Sequence, residues 1–421
     1  MKRLLPALLA TFILSTSPET FGGGKPLVVH EWGTFTSLQD EQGNSIGAIN
    51  NDDEPVPGFV HNIAWDLLIG DAKAQEQTHK NVFAKSVPRA HRDVTMRLET
   101  PVLYVHQGCN SPKISVTVDF RGGLLTQFYP KAETARITSP AAPITSQTTN
   151  RLTWSDLRVN QSGAKIPQTK DHVWLAPRNV DDVATLTNNA GESEKYLFYR
   201  GVGHLDAPLR AVRGSDHLEL STAMPGFGPL WYCTIKADGS CAWRSVESNN
   251  RTPARFSDAE FSAARLDELK KSMHAALVSE GLYKDEAQAM LDTWAVSYFK
   301  SAGTRIFYIV PQAWTEQVLP MQISPKPDEL KRVMVGRLDV VTPDQRDLLK
   351  QIVSAKDVVK DDAKLWQVYD RLGRFRNALV LNELARTKNE SLKQFIANYG
   401  LDPFTPAPVQ QNASVSSAAP R

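Results

Sequence analysis

Residues 113–129 read Lys-Ile-Ser-Val-Thr-Val-Asp-Phe-Arg-Gly-Gly-Leu-Leu-Thr-Gln-Phe-Tyr. Ile114, Val116, Val118 and Phe120 recur at every second position, the period of a strand with one face in a core. Arg121-Gly122-Gly123 is a turn signal, and Leu124 to Tyr129 is a second strand-like run, so the stretch predicts a β-hairpin.

The same texture extends on both sides. Short apolar runs, punctuated by Gly, Pro, Asn and Asp, recur from Leu27 to about Val246. Strands are expected at Leu27 to Phe35, Val94 to His106, Leu152 to Val159, Tyr196 to Arg200, Leu209 to Arg213, His217 to Leu220, Leu230 to Ile235 and Cys241 to Val246, forming a sandwich or a strongly bent sheet. Asn50 to Pro57 and Lys131 to Asn150 read as exposed loops.

After the polar linker Glu247 to Arg255 the period lengthens. Ser257-Asp258-Ala259-Glu260 has the form of a capping box, in which hydroxyl and carboxylate satisfy free backbone donors reciprocally, and predicts a helix to Glu280. A second helix is expected at about Lys284 to Lys300, with Ala287, Met290, Leu291, Trp294 and Tyr298 on one face. Thr304 to Val310 and Arg332 to Val341 return to strand, with a short helix at Pro311 to Leu319 between them. Thr342-Pro343-Asp344-Gln345 supplies another cap and a proline at the first helical position. Helices at about 361–371, 375–387 and 390–399 follow.

The predicted fold class is therefore α+β. A large antiparallel, β-sandwich-like domain (25–250) leads into an α+β segment (251–341) packed on the same sheet system. A helical subdomain (342–402) and a disordered tail (403–421), rich in Pro, Ala, Ser, Gln and Asn, complete it. The chain's 421 residues exceed what one ordinary core holds, about 250–300 residues.

Lys2 and Arg3, the apolar run Leu4 to Leu14 and the small residues Ser15, Thr16 and Ser17 have the layout of a signal peptide (1–17), with a mature start between 18 and 25. The apolar run is shorter than the roughly 20 residues a membrane helix needs, and no integral anchor is expected in the mature chain. The protein is expected to be periplasmic or secreted. With 48 Lys+Arg against 46 Asp+Glu and no long basic run, nucleic-acid binding has no electrostatic basis. In an oxidising compartment, Cys233 and Cys241, flanking Lys236 to Ser240, are candidates for a disulfide pinning a hairpin, and Cys109 is left over.

The most unusual stretch for chemistry is Val28-Val29-His30-Glu31-Trp32-Gly33-Thr34-Phe35-Thr36. In a strand, Val29, Glu31, Gly33 and Phe35 share one face, whereas His30, Trp32, Thr34 and Thr36 line the other. A carboxylate among apolar neighbours must be paired or ligating, or have its pKa raised toward general acid-base use. Glu31 is thus either a catalytic group or the partner of a buried arginine. Arg97 and Glu99 point the same way two residues apart, and Pro101 forces an edge or bulge beside them. Glu31 could pair with Arg97 as a buried ion pair, or with Glu99 as a catalytic carboxylate pair.

No histidine pair has the spacing of a helical zinc motif, so a metal site must assemble from separate strands and loops. His30, His106 and His204 are the preferred ligands, with Glu31 or Glu99 as carboxylate ligand or base, and the cofactor is one divalent transition metal. Each histidine alone is equally an ordinary hydrogen-bonded residue. Arg200 could orient an anionic group or pair with a buried glutamate. Arg305 and Arg337 are further partners for a buried acid. Trp32, Trp65, Trp154, Trp174, Trp231 and Trp243 could stack on sugars as an exposed strip, or fill the core.

Taken together, His30 to Thr36, Arg97 to Tyr104, Phe198 to Gly201, Gly303 to Pro311 and Val335 to Pro343 resemble the recurring motifs of a family of exported bacterial proteins marked by His-Glu-Trp-Gly-Thr-Phe-Thr. The resemblance runs from about residue 27 to about 385 and implies export, but it brings no activity, substrate or catalytic residue. The residues suggest a metal-assisted or two-carboxylate hydrolase of an extracellular polymer, glycan or peptide, with Glu31 and Glu99 catalytic and Trp32, Arg97 and Arg200 binding substrate. The competing reading is a non-catalytic envelope or polymer-binding module in which those residues form a salt-bridge network.

Overall fold

A computed structural model describes residues 26–51, 55–63, 83–85, 87–106, 112–134, 142–355 and 362–402. The expected signal peptide (1–17), Trp65, Cys109 and the expected disordered tail (403–421) lie outside the described residues. The fold is α+β, dominated by antiparallel sheets, with a helical region at the C-terminal end. No helix among the described residues is long and apolar enough to cross a membrane.

Among the described residues the main sheet has nine strands: β1 (Val28–Gln39), β2 (His61–Asn62), β3 (Met96–Val105), β4 (Gly123–Tyr129), β5 (Leu197–Gly203), β6 (Leu230–Ile235), β7 (Cys241–Val246), β8 (Gly303–Ile309) and β9 (Glu329–Val340). Their order across the sheet is β7-β6-β8-β9-β1-β3-β5-β4-β2. The late strands β8 and β9 are therefore inserted beside the first. β1 runs parallel to β9 and antiparallel to β3, an exception to the antiparallel expectation. A parallel neighbour cannot follow through a tight turn, so it must come from a remote part of the chain.

A second sheet contains Lys113–Arg121 between Met321–Ser324 and Thr149–Val159. The expected hairpin at 113–129 is thus corrected. Both strands form, but Lys113–Arg121 belongs to the second sheet and β4 to the main one. Gly122 has φ +83° and a Cβ on Gly123 would collide with the Phe120 ring. This tight glycine corner carries the chain from one sheet to the other. The period-two signal is the same whether neighbouring strands pair or turn a corner.

Between the sheets, Val29, Phe35, Leu98, Leu103 and Val105 of the main sheet pack with Ile114, Val116, Val118, Leu152 and Trp154 of the second. On the opposite face, Trp32, Val102, Tyr104, Phe198, Trp231, Val333 and Val335 are covered by helices α1 (His172–Arg178), α2 (Ala263–Ser279) and α3 (Lys284–Thr293). Helix α1 has no counterpart in the sequence reading. Ser257 and Glu260 do form a capping box, but it opens only a short 3-10 turn, and Ser262 caps α2 two residues later. The helix α4 (Gln312–Val318) links β8 to the second sheet's Met321–Ser324 strand. The C-terminal helices α5 (Pro343–Val353), α6 (Ala363–Asp370), α7 (Arg376–Thr387) and α8 (Glu390–Asn398) bury a third core with Leu38, Ile46, Ile49 and Val341. Thr342 and Gln345 cap α5 reciprocally, as their spacing predicts.

Cys233 and Cys241 are not bonded to each other. Their hairpin forms, but Cys233 lies opposite Trp243 and Cys241 opposite Ile235. The cysteines are therefore diagonal neighbours, at roughly 7–8 Å, beyond the usual disulfide Cα window of about 4.4–6.8 Å. Burial pushes the Cys233 thiol up to about 12 and that of Cys241 to about 11. Iodoacetamide at about pH 8 should consequently leave both unmodified in the native protein and label both after denaturation without reductant. Peptide mapping that found them joined would overturn the register.

Candidate functional site

β1 is buried on both faces, so a polar side chain on it is costly unless it finds a partner inside the protein. Glu31 faces the sandwich core. Tyr199 donates its hydroxyl to Oε1, and Arg332 donates Nε to Oε2 at 2.6 Å. Arg332 is Glu31's register partner on β9 and also donates Nη1 to the Leu319 carbonyl at 2.8 Å. Burial works against the guanidinium charge, but Glu31 offsets this and raises Arg332 above its ordinary pKa. Burial and the adjacent carboxylate push the Tyr199 phenol well above its usual value. Glu31 is enclosed and paired with an arginine, though with neither Arg97 nor Arg200.

Glu99 belongs to the other face. A bulge in β3 sets Thr100 and Pro101 against Gly33 alone, with Glu99 opposite Thr34 and Val102 opposite Trp32. Pro101 thus sits at a bulge, but in a central strand. A Cβ on Gly33 would meet the Pro101 Cα and the Met334 sulfur at 3.0 Å, so any side chain there would push the bulge or Met334 aside by a few tenths of an ångström. Thr100 has φ +45°, an uncommon conformation for a β-branched residue. Glu99 accepts from Thr36 Oγ1 at 2.7 Å and from the Tyr298 hydroxyl, pairs with Arg97, and meets Arg374 at 3.2 Å and Lys85 at 3.6 Å. Nearby, Arg337 makes a two-point contact with Asp339 at 2.6 and 3.2 Å, and Arg305 lies 3.8 Å from the same carboxylate. Burial, with Arg337 beside it, lowers Arg305 to about 10.

Several sequence expectations are corrected here. Glu31 and Glu99 lie on opposite faces of one sheet and cannot flank a common bond, so they form no two-carboxylate pair. Trp32, Trp154, Trp174 and Trp231 are fully buried and provide no sugar-stacking strip; Trp32 cannot contact a polymer from the core. Arg97 and Arg200 are equally enclosed, Arg200 donating Nε to Gln127. His204 is exposed, with Nδ1 2.8 Å from the Asp93 carbonyl, and does not join the other two histidines.

His30 and His106 do come together. His30 is on the helix-covered face of β1, and His106 follows β3 in a one-residue bridge to Val183. Their ring centroids are 4.6 Å apart and edge to face. Between them reaches Glu286, in the first turn of α3. His30 Nδ1 lies 2.8 Å from Oε2, and His106 Nε2 lies 3.0 Å from Oε1. The Tyr283 amide donates to Oε2 at 2.7 Å, so the carboxylate also caps the helix. Burial pushes the Glu286 pKa up, but the hydrogen bonds from His106 and His30 outweigh it and hold the group below the usual carboxylate value. The Tyr283 ring, 47% exposed, covers both imidazoles with centroids at 4.6 Å. His30 Nε2 is buried with no hydrogen-bond partner among the described residues, and Glu329 Oε1 approaches it at 3.9 Å.

One ligand atom from each of His30, His106 and Glu286 lies within 4.8 Å of the others. Glu286 and Tyr283 were missed from sequence. The available signal was an acid at 286, four residues before Met290 on the apolar face of the predicted helix, where a buried charge requires a partner. Comparison of the chain with protein-family models and with curated proteins gave no match to either.

The Glu31 geometry yields a stability prediction. Glu31→Gln leaves the buried Arg332 charge uncompensated and should cost about 3–5 kcal/mol, read as a lowered midpoint in denaturant unfolding. A midpoint unchanged from wild type would show that the pair does not contribute.

Proposed function

We propose that the protein is an exported metal-dependent hydrolase whose divalent transition ion is held by His30, His106 and Glu286. The carrying observation is the convergence of two imidazoles and one carboxylate from three separate elements. Ligands held tetrahedrally by one ion at about 2.1 Å lie about 3.4 Å apart, so the imidazole nitrogens, now 2.8 and 3.0 Å from the two carboxylate oxygens, need open by only about half an ångström to admit one. Imidazole with one carboxylate suits zinc, manganese or ferrous iron better than calcium. Three protein ligands leave room for a water, which such an ion can activate as a nucleophile.

Glu329 supports this reading from outside the ligand set. If His30 binds through Nδ1, its Nε2 carries the proton and can donate to the half-exposed Glu329 carboxylate after a small side-chain movement. A carboxylate on the outer nitrogen fixes the ligand's tautomer and orientation. A second reading has its own support: Glu286 is already satisfied by both imidazoles and the Tyr283 amide, and could be a metal-free clamp holding α3 on the sheet.

Mass spectrometry of untagged mature protein, with melting temperature measured with and without chelator, separates the two. About one equivalent of metal and a melting point lowered by chelator are expected, with the metal lost in His30→Ala and His106→Ala. No retained metal, and no uptake of added zinc, manganese or ferrous iron, would leave the clamp. Chromogenic ester, phosphoester and glycoside substrates test the hydrolytic part. Turnover of none by loaded protein would overturn it.

Glu329→Ala should weaken metal affinity roughly 10–100-fold while the ligands stay in place, measured by competition with a chelating dye. Unchanged affinity would remove Glu329 from the site.

A further inference from the structure

An open cleft lies at the β2 edge of the main sheet and shares no residue with the His30, His106 and Glu286 cluster. It occupies about 720 Å³ and is lined by His61 of β2, Phe128 of β4, Thr153 and Ser155 of the second sheet, and Lys131 and Asn188 from loops. That volume is within the ordinary range for small-ligand sites, about 300–1,000 Å³.

One carboxylate fixes this wall. Glu192 Oε1 lies 2.8 Å from His61 Nε2, while Oε2 accepts from the Lys131 amide at 2.6 Å and from Asn188 Nδ2 at 3.1 Å. Asn188 Oδ1 in turn accepts from the Ala190 and Glu192 amides at 3.0 and 2.9 Å. The His61 ring stacks beside Phe128 and Tyr129 with centroids at 6.0 and 6.1 Å. Burial and the neighbouring Glu192 raise the Tyr129 phenol to about 12, which keeps it neutral. His61 is one-quarter exposed. In the tautomer whose Nε2–H donates to Glu192, Nδ1 is an acceptor. Three lining residues are therefore held in place before any ligand arrives, which lowers the ordering cost of binding.

The lining chemistry selects the ligand class. Hydroxyl and amide groups from Thr134, Thr153, Ser155 and Asn189 line the cleft beside apolar surface from Ile63, Ala132 and Ala190. The Ser155 hydroxyl donates to Glu133 at 3.1 Å and Thr153 meets Thr117 at 3.3 Å, and both oxygens still have lone pairs that can accept. Lys131 and Glu133 give the rim opposite charges, so it offers no strong field to an anion or a cation. A sugar chain has the matching character, with hydroxyls that donate and accept around apolar C–H faces. We infer that this cleft is a binding site for a neutral oligosaccharide, oriented by the His61–Glu192 pair. The cleft contains none of the residues proposed to hold a metal.

The test is calorimetric titration of the full mature protein with cellohexaose, chitohexaose and maltohexaose, and with a neutral alanine-glycine hexapeptide, each to about 10 mM, which reaches weak millimolar affinities. Saturable binding of at least one sugar is expected. It should weaken at least roughly tenfold in His61→Ala and disappear in Ser155→Trp, which fills the cleft from a partly exposed position. Circular dichroism melting checks that both variants fold. If His61→Ala does not fold, Ser155→Trp alone decides. Binding of no sugar, binding of the peptide only, or sugar binding unaffected by Ser155→Trp would overturn the proposal.

Discussion

The structure depends on one strand that has no solvent face. β1 runs through the middle of the main sheet, and every residue from Val29 to Gln39 is buried. Its odd-numbered side chains enter the sandwich, while His30, Trp32, Thr34 and Thr36 meet the helices. Burying polar groups on such a strand is unfavourable unless they are matched; Thr34 Oγ1 has no partner among the described residues, but the charged and imidazole groups are matched from far along the chain. Glu31 is bound by Arg332, His30 by Glu286, and Thr36 by Glu99. Satisfying β1 thus requires β9 and α3 to be in place, which ties the last third of the described chain to its first strand.

The bulge opposite Gly33 has the next largest consequence. Without it, Glu99 and Val102 could not both keep their present partners across β1, because the side-chain period of two would shift one of them to the wrong face. Two residues against one restore the alternation, and the chain accommodates it with a glycine on β1 and an unusual backbone at Thr100. The ion-pair cluster gathered there, around Glu99 and Asp339, is not in itself a source of net stability, because desolvation of buried charges offsets much of their attraction. Its arrangement does make the packing of β3, β9 and the Arg374-Phe375 segment mutually specific.

The two candidate sites use carboxylates in the same way at different depths. Glu286 draws together two buried imidazoles beneath Tyr283, and Glu192 holds one imidazole and two loop groups beside an open cleft. Between them lies an aromatic wall in which Tyr129 contacts Trp174, Trp174 contacts Tyr196, and Tyr196 contacts Tyr104. Large, two-torsion side chains packed edge to face give a stiff support, so both histidine sets are mounted on the same rigid layer.

The sequence by itself determined the local choices. Period-two alternation located most of the long strands and assigned His30 and Glu31 to opposite faces; the Thr342 and Gln345 cap located α5; and Pro101 signalled the bulge. These features depend on residues within a few positions of one another, where backbone geometry fixes the outcome. Tertiary structure alone decided which strands pair. It set Arg332 rather than Arg97 or Arg200 on Glu31, separated Glu31 from Glu99, sent residues 113–121 and 123–129 into different sheets, and brought Glu286 to His30 and His106. Each of these depends on register between segments up to three hundred residues apart, and that register is selected by burial and polar matching over whole layers rather than by any local pattern.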